Sequence, residues 1–341
     1  MASEGESRLS AEESAKFHSA MEEARVFALW EQWEGRYAHD PEPPFLWPWK
    51  TMEPILNTSI NATTHEEGAT RRVLCMNRPS NHDRPDGMSD HFTLNLQILA
   101  PGEHAPPHRH SIHALRFVLA GGATTVVDGK RCAMDEGDMI ITPAWTWHEH
   151  LHEGNEPSVW VDGLDVPTHR HYDTGALELG PTNNIPERIP DTAFQASGFT
   201  PLGETGAQGH SPMFRYPWTE ATKALAAVPE GKDGSRMLRY TDPVTGGAIM
   251  NRLDCYLQGL AKGQETIATR STANFGIVVA EGSGSSRVGE STVHWEKNDV
   301  FSVPHGNWLS HTANDSDTKL FMVTDREILR RLELLNEETK D

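Results

Sequence analysis

Several features are scarce or missing in this 341-residue chain, and each absence excludes something. There are three cysteines, Cys75, Cys132 and Cys255, widely spaced and in no CxxC pair, so neither a disulfide framework nor a cysteine-based zinc site is encoded. They read as reduced, buried thiols of a cytoplasmic protein. No apolar run approaches the roughly 18 residues of a membrane-spanning helix. The first residues, Met-Ala-Ser-Glu-Gly-Glu-Ser, lack the basic and apolar segments of a secretory signal. Basic residues are the scarcer charge, 30 against 49 acidic ones, for a formal net charge of −19. Such a surface repels nucleic acid and anionic membrane, so neither is an expected partner. An anionic substrate would have to be captured by local arginines. Five stand near the histidines described next: Arg71, Arg72, Arg78, Arg109 and Arg116.

Histidine is what the chain has. Seven of its 18 histidines fall between residues 104 and 152. His108 and His110 form a His-X-His pair, which places both imidazoles on one face of a strand because strand side chains alternate with period two. His148 follows 38 residues after His110, beyond the Gly137-Asp138 turn, the apolar run Met139-Ile140-Ile141 and Pro143. That distance suits a chain that passes through two or three short antiparallel strands and returns. Three imidazoles from neighbouring strands can hold one face of a metal and leave its other positions open, the arrangement of a reactive rather than a structural site. A merely His-rich surface tract would lack the punctuation seen here. Pro101-Gly102 precedes the pair, Gly121-Gly122 follows the apolar strand, and Gly137 to Pro143 closes the unit.

The pattern divides the chain into four parts. Residues 1–68 form an N-terminal helix and extended arm: Ser10 with Glu13 reads as a capping box, and Phe17, Met21, Ala24 and Ala28 recur at helical spacing over 10–36. The Pro- and Trp-rich stretch 43–49 then makes the arm a packing or subunit-contact element. Residues 69–170 read as all β, with strands at 92–98, 114–120, 123–127, 139–142 and 159–164 separated by Gly, Asp and Pro turns. In the first of these, Phe92, Leu94, Leu96 and Ile98 share one face, and Thr93, Asn95 and Gln97 share the other. Residues 171–235 read as an irregular connection. Residues 236–341 repeat the β pattern, with Gly263 before Thr269-Arg270-Ser271 as Gly102 stands before His108-Arg109-His110. Thr269, Ser271 and Leu309 occupy the three histidine positions in this diverged copy, which should therefore be metal-free. His305 and His311 remain near Leu309 without a His-X-His pair, and a charged helix is expected over 325–337.

The string Pro101-Gly102-x5-His108-x-His110, then Gly137-x5-Pro143-x4-His148, resembles the two cupin motifs. The Glu that many cupins place after the pair is absent; Ala114 and Leu115 stand there. A three-histidine site of this kind resembles the ring-cleaving dioxygenases of gentisate and related ortho-hydroxybenzoates. The stretches 108–117, 142–150 and 160–165, and Arg71-Arg72-Val73-Leu74 upstream, extend the likeness over nearly the whole chain. The resemblance implies a mainly β bicupin, two tandem double-stranded β-helix (jelly-roll) barrels with N- and C-terminal helices. It implies one Fe(II) per subunit on His108, His110 and His148, with O2 as co-substrate. Arg72 and Arg116 would hold the substrate carboxylate or the developing oxyanion. His150 and Asp162 would serve the phenolic oxygen and proton movement, and Gln97, Asn95 and Trp160 would line the pocket. Arg116 stands in an apolar strand, so an anionic ligand or a carboxylate such as Asp162 is expected beside it.

The implied reaction inserts O2 between the carboxyl- and hydroxyl-bearing ring carbons, with gentisate going to maleylpyruvate. A 5-substituted salicylate such as 5-nitrosalicylate, salicylate itself and 1-hydroxy-2-naphthoate are the alternatives, and Thr93 and Asn95 are where a polar ring substituent would be met. A non-oxidative cupin isomerase and a non-catalytic storage or regulatory cupin are more distant readings. A homo-oligomer, a tetramer by family resemblance, is expected.

Overall fold

Short β-rich segments with alternating side chains are stable only when both ladder edges and one face are covered, and this chain achieves that by stacking sheets in pairs. The computed structural model describes residues 9–31, 41–63, 71–79, 87–180, 189–196, 198–203, 209–314 and 316–340. They fall into two units, Met1–Pro41 and Glu42–Asp341. In the first, the Ser10–Glu13 capping box is present and starts a helix over Ala11–Glu23. The helix is shorter than the expected 10–36. Arg25 adopts a left-handed φ of 53°, and Val26 N–H closes back on Met21 O at 2.9 Å. This is a Schellman-type stop made without the glycine that would announce it. A single 3-10 turn, Leu29–Glu31, follows; 32–36 lie outside the described residues.

In the second unit, β1 (Leu46–Trp47) and a helix over Trp49–Ala62 precede the first run of strands. The run comprises β2 (Val73–Cys75), β3 (Thr93–Leu99), β4 (His104–His110), β5 (Ala114–Ala120) and β6 (Ala123–Val127). It continues with β7 (Lys130–Met134), β8 (Met139–Thr142), β9 (His148–Leu151), β10 (Ser158–Leu164) and, after a short helix Val166–His171, β11 (Leu177–Leu179). Within the expected irregular connection the structure places β12 (Arg215–Tyr216) and a helix over Trp218–Ala227. The second run opens with β13 (Arg236–Arg239), β14 (Asp254–Leu260), β15 (Thr269–Ser271), β16 (Phe275–Glu281) and β17 (Ser283–Val288). It closes with β18 (Ser291–Glu296), β19 (Val300–Val303), β20 (Trp308–Ala313), β21 (Thr318–Thr324), a helix Arg326–Arg331 and β22 (Glu337–Thr339). The expected C-terminal helix over 325–337 is thus cut short. Glu333, with φ 59°, caps it and the chain returns as a strand on β15.

Each run makes one two-sheet barrel. The first pairs β12-β8-β5-β10-β3-β2 with β11-β4-β9-β6-β7; the second pairs β1-β19-β16-β21-β14-β13 with β18-β17-β20-β15-β22. The arm therefore enters the second barrel, through Leu46 opposite Phe301 and Trp47 opposite Val300. Matching positions lie 161 residues apart along most of the repeat, as in Gly102 with Gly263 and His150 with His311. The repeats also exchange partners. His91, ahead of β3, bonds Asp325 of the second repeat at 2.7 Å, while Arg252, ahead of β14, bonds Asp165 of the first.

The alternating pattern of β3 has both faces buried. Leu94, Leu96 and Ile98 point out of their barrel into a core shared with Leu257, Phe321 and Val323 of the other. Across that core Phe117 stacks on Phe321 at 4.2 Å between ring centroids. Gly276 permits the approach, because a Cβ there would stand 2.4 Å from Leu94 Cδ1. Asn95 and Gln97 point the other way, into the barrel. The first barrel thus has polar side chains on its inner face and apolar packing on its outer one.

Candidate metal centre

The triad is built by two adjacent strands. β4 pairs with β9, His108 opposite His148, and the register shifts between Ala105 and His108 where Pro106 and Pro107 offer no N–H to the ladder. Ligand atoms of His108, His110 and His148 lie within 4.8 Å of one another, and this is the one such histidine, cysteine or carboxylate cluster among the described residues. Backbone carbonyls orient two of the rings. His110 Nδ1 meets Ile112 O at 2.8 Å and His148 Nδ1 meets Thr146 O at 3.0 Å, which leaves each Nε2 for a ligand. His148 Nε2 is buried without a protein partner. Burial, then neighbouring positive charge, holds His108 down to about 3; burial alone dominates in bringing His110 to about 4, and His148 lies well below its usual range. Neutral imidazoles converging from two strands, those of His110 and His148 with Nε2 left open, fit a divalent transition metal.

The facing sheet supplies the rest of the chamber. β10 lies between β3 and β5, so Asp162 stands opposite both Asn95 and Arg116, and Trp160 stands opposite Gln97. Arg116 and Asp162 are buried and paired, Nε to Oδ1 at 3.3 Å, as the apolar strand around Arg116 led us to expect. Arg116 also donates to Thr142 Oγ1 at 2.8 Å, and Trp160 Nε1 donates to Asp162 Oδ1 at 3.0 Å. Burial pushes the Asp162 carboxyl up, opposed by Arg116. His150 stands one pleat beyond His148, its ring 5.4 Å from that of Trp160. Its Nδ1 contacts Thr125 Oγ1 at 2.8 Å and its Nε2 has no partner. Gln97 Nε2 is likewise buried and unpartnered. Thr93 Oγ1 donates to Asn95 Oδ1 at 3.0 Å, which orients the Asn95 amide.

Arg71, rather than Arg72, stands against the triad. Val73 pairs with Gln97, so Arg71, two residues earlier, shares the inward face and Arg72 takes the opposite one. Arg71 Nη2 reaches Pro106 O at 3.1 Å and His108 Nδ1 at 2.5 Å. Burial and the nearby Arg116 bring its guanidinium down to about 10, still charged at neutral pH. Arg72 pairs with Glu103 and donates to Thr63 O. Of the other arginines near the histidines, Arg78 pairs with Asp90 and Glu42, and Arg109 pairs with Glu178 and lies over Trp147. The expected place of Arg72 is thus taken by its neighbour Arg71, because the strand register, Val73 opposite Gln97, fixes the parity. Thr125, which sits opposite His150 in β6, was not among the expected site residues.

Two guanidinium groups and one carboxylate thus share a chamber with neutral histidines, a locally cationic site in a strongly acidic chain. Residues 95–171 match the Cupin domain family. The 5-aminosalicylate 1,2-dioxygenase of Comamonas sp is 33% identical over 94% of this chain and 89% of its own length. Gentisate 1,2-dioxygenase 1 of Aquipseudomonas alcaligenes is 34% identical over 94% of each. This chain belongs to the gentisate and salicylate 1,2-dioxygenase family. A crystal structure of a variant salicylate 1,2-dioxygenase from Pseudoaminobacter salicylatoxidans in complex with gentisate superposes with a TM-score of 0.92 at 27% identity. It covers 100% of this chain and 98% of that one. Family membership sets the reaction class as oxidative ring cleavage of an ortho-hydroxybenzoate. The second barrel carries Thr269, Ser271 and Leu309 at the triad positions, with Thr269 paired to Leu309.

Proposed function

We propose that this enzyme is an Fe(II)-dependent dioxygenase that cleaves gentisate to maleylpyruvate, with iron on His108, His110 and His148. The observation that carries the reading is the convergence of this triad with the Arg71–Arg116 pair in one buried chamber. When bound, Fe(II) would supply open positions at which an ortho-hydroxycarboxylate and O2 meet. The substrate carboxylate is received by Arg116 and Arg71 through charge-assisted hydrogen bonds. Arg72, tied to Glu103, holds the strand that carries Arg71. Thr125 Oγ1 donates to Met134 Sδ at 3.0 Å, so the His150 Nδ1–H gives to Thr125 and Nε2 keeps a lone pair. That lone pair takes the proton of the phenolic hydroxyl and later returns it. Asp162 holds the Arg116 guanidinium and the Trp160 indole in place, while Gln97 presents a buried amide N–H to the ring's polar edge.

Asn95, oriented by Thr93, meets the 5-substituent. Two polar side chains there, and the 5-aminosalicylate-cleaving relative, also favour a second reading in which a 5-amino group replaces the 5-hydroxyl. In this reading residues 69–170 form the reactive barrel, 171–235 the connection, 236–341 the metal-free barrel, and 1–68 an arm. We place the enzyme in the cytoplasm as a homotetramer. Exposed Val26, Phe27 and Trp30 support a role for the arm in assembly. O2 uptake by anaerobically Fe(II)-loaded protein decides among gentisate, 5-aminosalicylate, 5-nitrosalicylate, salicylate and 1-hydroxy-2-naphthoate. Gentisate-dependent uptake with the absorbance of maleylpyruvate is expected. Turnover of a different member alone reassigns the substrate, and no uptake with any of them overturns the proposal.

A further inference from the structure

The second barrel has a chamber of its own. A cavity of about 480 Å³ opens into it, walled by Phe275, Val303, Leu309 and Met322. Two buried polar atoms on its lining have no protein partner, Gln258 Oε1 and His311 Nε2, on residues 3% and 2% exposed. Their partners on the other side define what they offer. Gln258 Nε2 donates to Ser235 Oγ at 2.9 Å, which leaves its carbonyl as an acceptor. Ser286 Oγ accepts from Trp295 Nε1 at 2.8 Å and lies 2.7 Å from His311 Nδ1. With the indole N–H on one lone pair of the hydroxyl, we assign its proton to Nδ1, which makes Nε2 the protonated nitrogen and a donor. Burial holds this ring down to about 4, so it is neutral. Three arginines at the cavity are each matched by carboxylates: Arg239 by Asp254 and Glu327, Arg270 by Glu338, and Arg326 by Glu337. Among the described residues that line the cavity, no uncompensated cation is left to draw in a carboxylate, in contrast to the first barrel.

We propose that the second barrel binds a neutral phenol of one or two rings, its oxygen accepting from His311 Nε2 and its hydroxyl donating to Gln258 Oε1. A hydroxyl can donate to the one orphaned atom and accept from the other, and an aromatic body suits the apolar wall. This inference stands apart from the substrate proposed for the first barrel. The test is equilibrium dialysis of 2-naphthol against the Fe(II)-loaded enzyme under anaerobic conditions, with saturating gentisate. One equivalent should bind per chain in the presence of gentisate. Gln258→Leu and His311→Phe should each weaken binding about tenfold or more, while gentisate turnover, carried by the other barrel, reports that each variant is folded. 2-Naphthoate, which replaces the hydroxyl by a carboxylate, should bind at least tenfold more weakly than 2-naphthol. Absence of binding, displacement by gentisate, equal binding of 2-naphthoate, or binding unchanged in both variants would each overturn the site. Should one variant fail to fold, the other and the 2-naphthoate comparison still decide.

Discussion

A strand that alternates its side chains makes neighbouring residues unequal, and Arg71 and Arg72 show the consequence. Arg71 faces the triad and Arg116; Arg72 faces Glu103 on the other side of the same backbone. Arg71→Ala should raise KM for the carboxylate substrate about 10- to 100-fold, as expected for a lost charge-assisted contact, with little change in thermal midpoint. Arg72→Ala should do the reverse, losing about 1–3 kcal/mol of stability by stranding Glu103 while KM stays within about twofold. The opposite split between the two variants would return the carboxylate contact to Arg72. His110→Ala should drop bound metal from one equivalent per chain to background, measured by elemental analysis of the dialysed protein, and abolish turnover. Full metal retention would mean that the triad is not the metal centre.

At the scale of elements, the exchanged pairs before β3 and β14 link the two repeats. His91 gains a partner in Asp325, and that hydrogen bond, against the cost of burial, raises its pKa above the usual 6.5. A raised folded value means that the pair contributes stability below the unfolded pKa and loses it as pH rises through the folded one. The His91 ring resonance should therefore titrate with a midpoint above 6.5 by NMR, and Asp325→Asn should move it down. His113 behaves oppositely. Ala144 N–H donates to its Nδ1 at 3.0 Å, Nε2 gives to Asn251 Oδ1 at 2.7 Å, and burial brings it down to about 3. The helix ends belong to this scale as well. Arg25, Asp173 and Glu333 each take a left-handed φ without being glycine, so the amphipathic pattern over 10–36 and the charged run over 325–337 ran on past their true stops.

For the whole molecule, the decisive packing is between barrels. Phe117 on Phe321, and Leu94 against Gly276, join the six-stranded sheets into one core, so unfolding should be a single calorimetric transition. Phe321→Ala should lower stability by about 3–5 kcal/mol. Two resolved transitions in the wild type would show that the barrels unfold independently. Acid should destabilise the fold. His113 at about 3 and His311 at about 4 bind fewer protons when folded than an unfolded histidine near 6.5. Stability therefore rises with pH across that window and is lost as pH falls from 6.5, by about 1.4 kcal/mol per pH unit for each such histidine. His113→Gln should flatten the denaturation free energy near pH 5 by about 1 kcal/mol per pH unit; an unchanged slope would remove His113 from the account.

The sequence by itself determined what is local and periodic. Period-two spacing put His108 and His110 on one face, the glycine and proline punctuation marked a run of short strands, though fewer than the structure shows, and the repeat of that grammar marked the second barrel, with Thr269, Ser271 and Leu309 at the histidine positions. Tertiary structure decided what depends on register and partnership. Which of two adjacent arginines faces the chamber rests on Val73 pairing with Gln97, a contact between strands that no spacing along the chain encodes. The helix over 218–227 and the strand at 215–216 are held by packing on β13, β14 and β8, and their own short pattern is too weak to announce them. The apolar face of β3 likewise reads as a barrel core in sequence, but the second barrel stands outside it and takes that face, leaving the inside polar for chemistry.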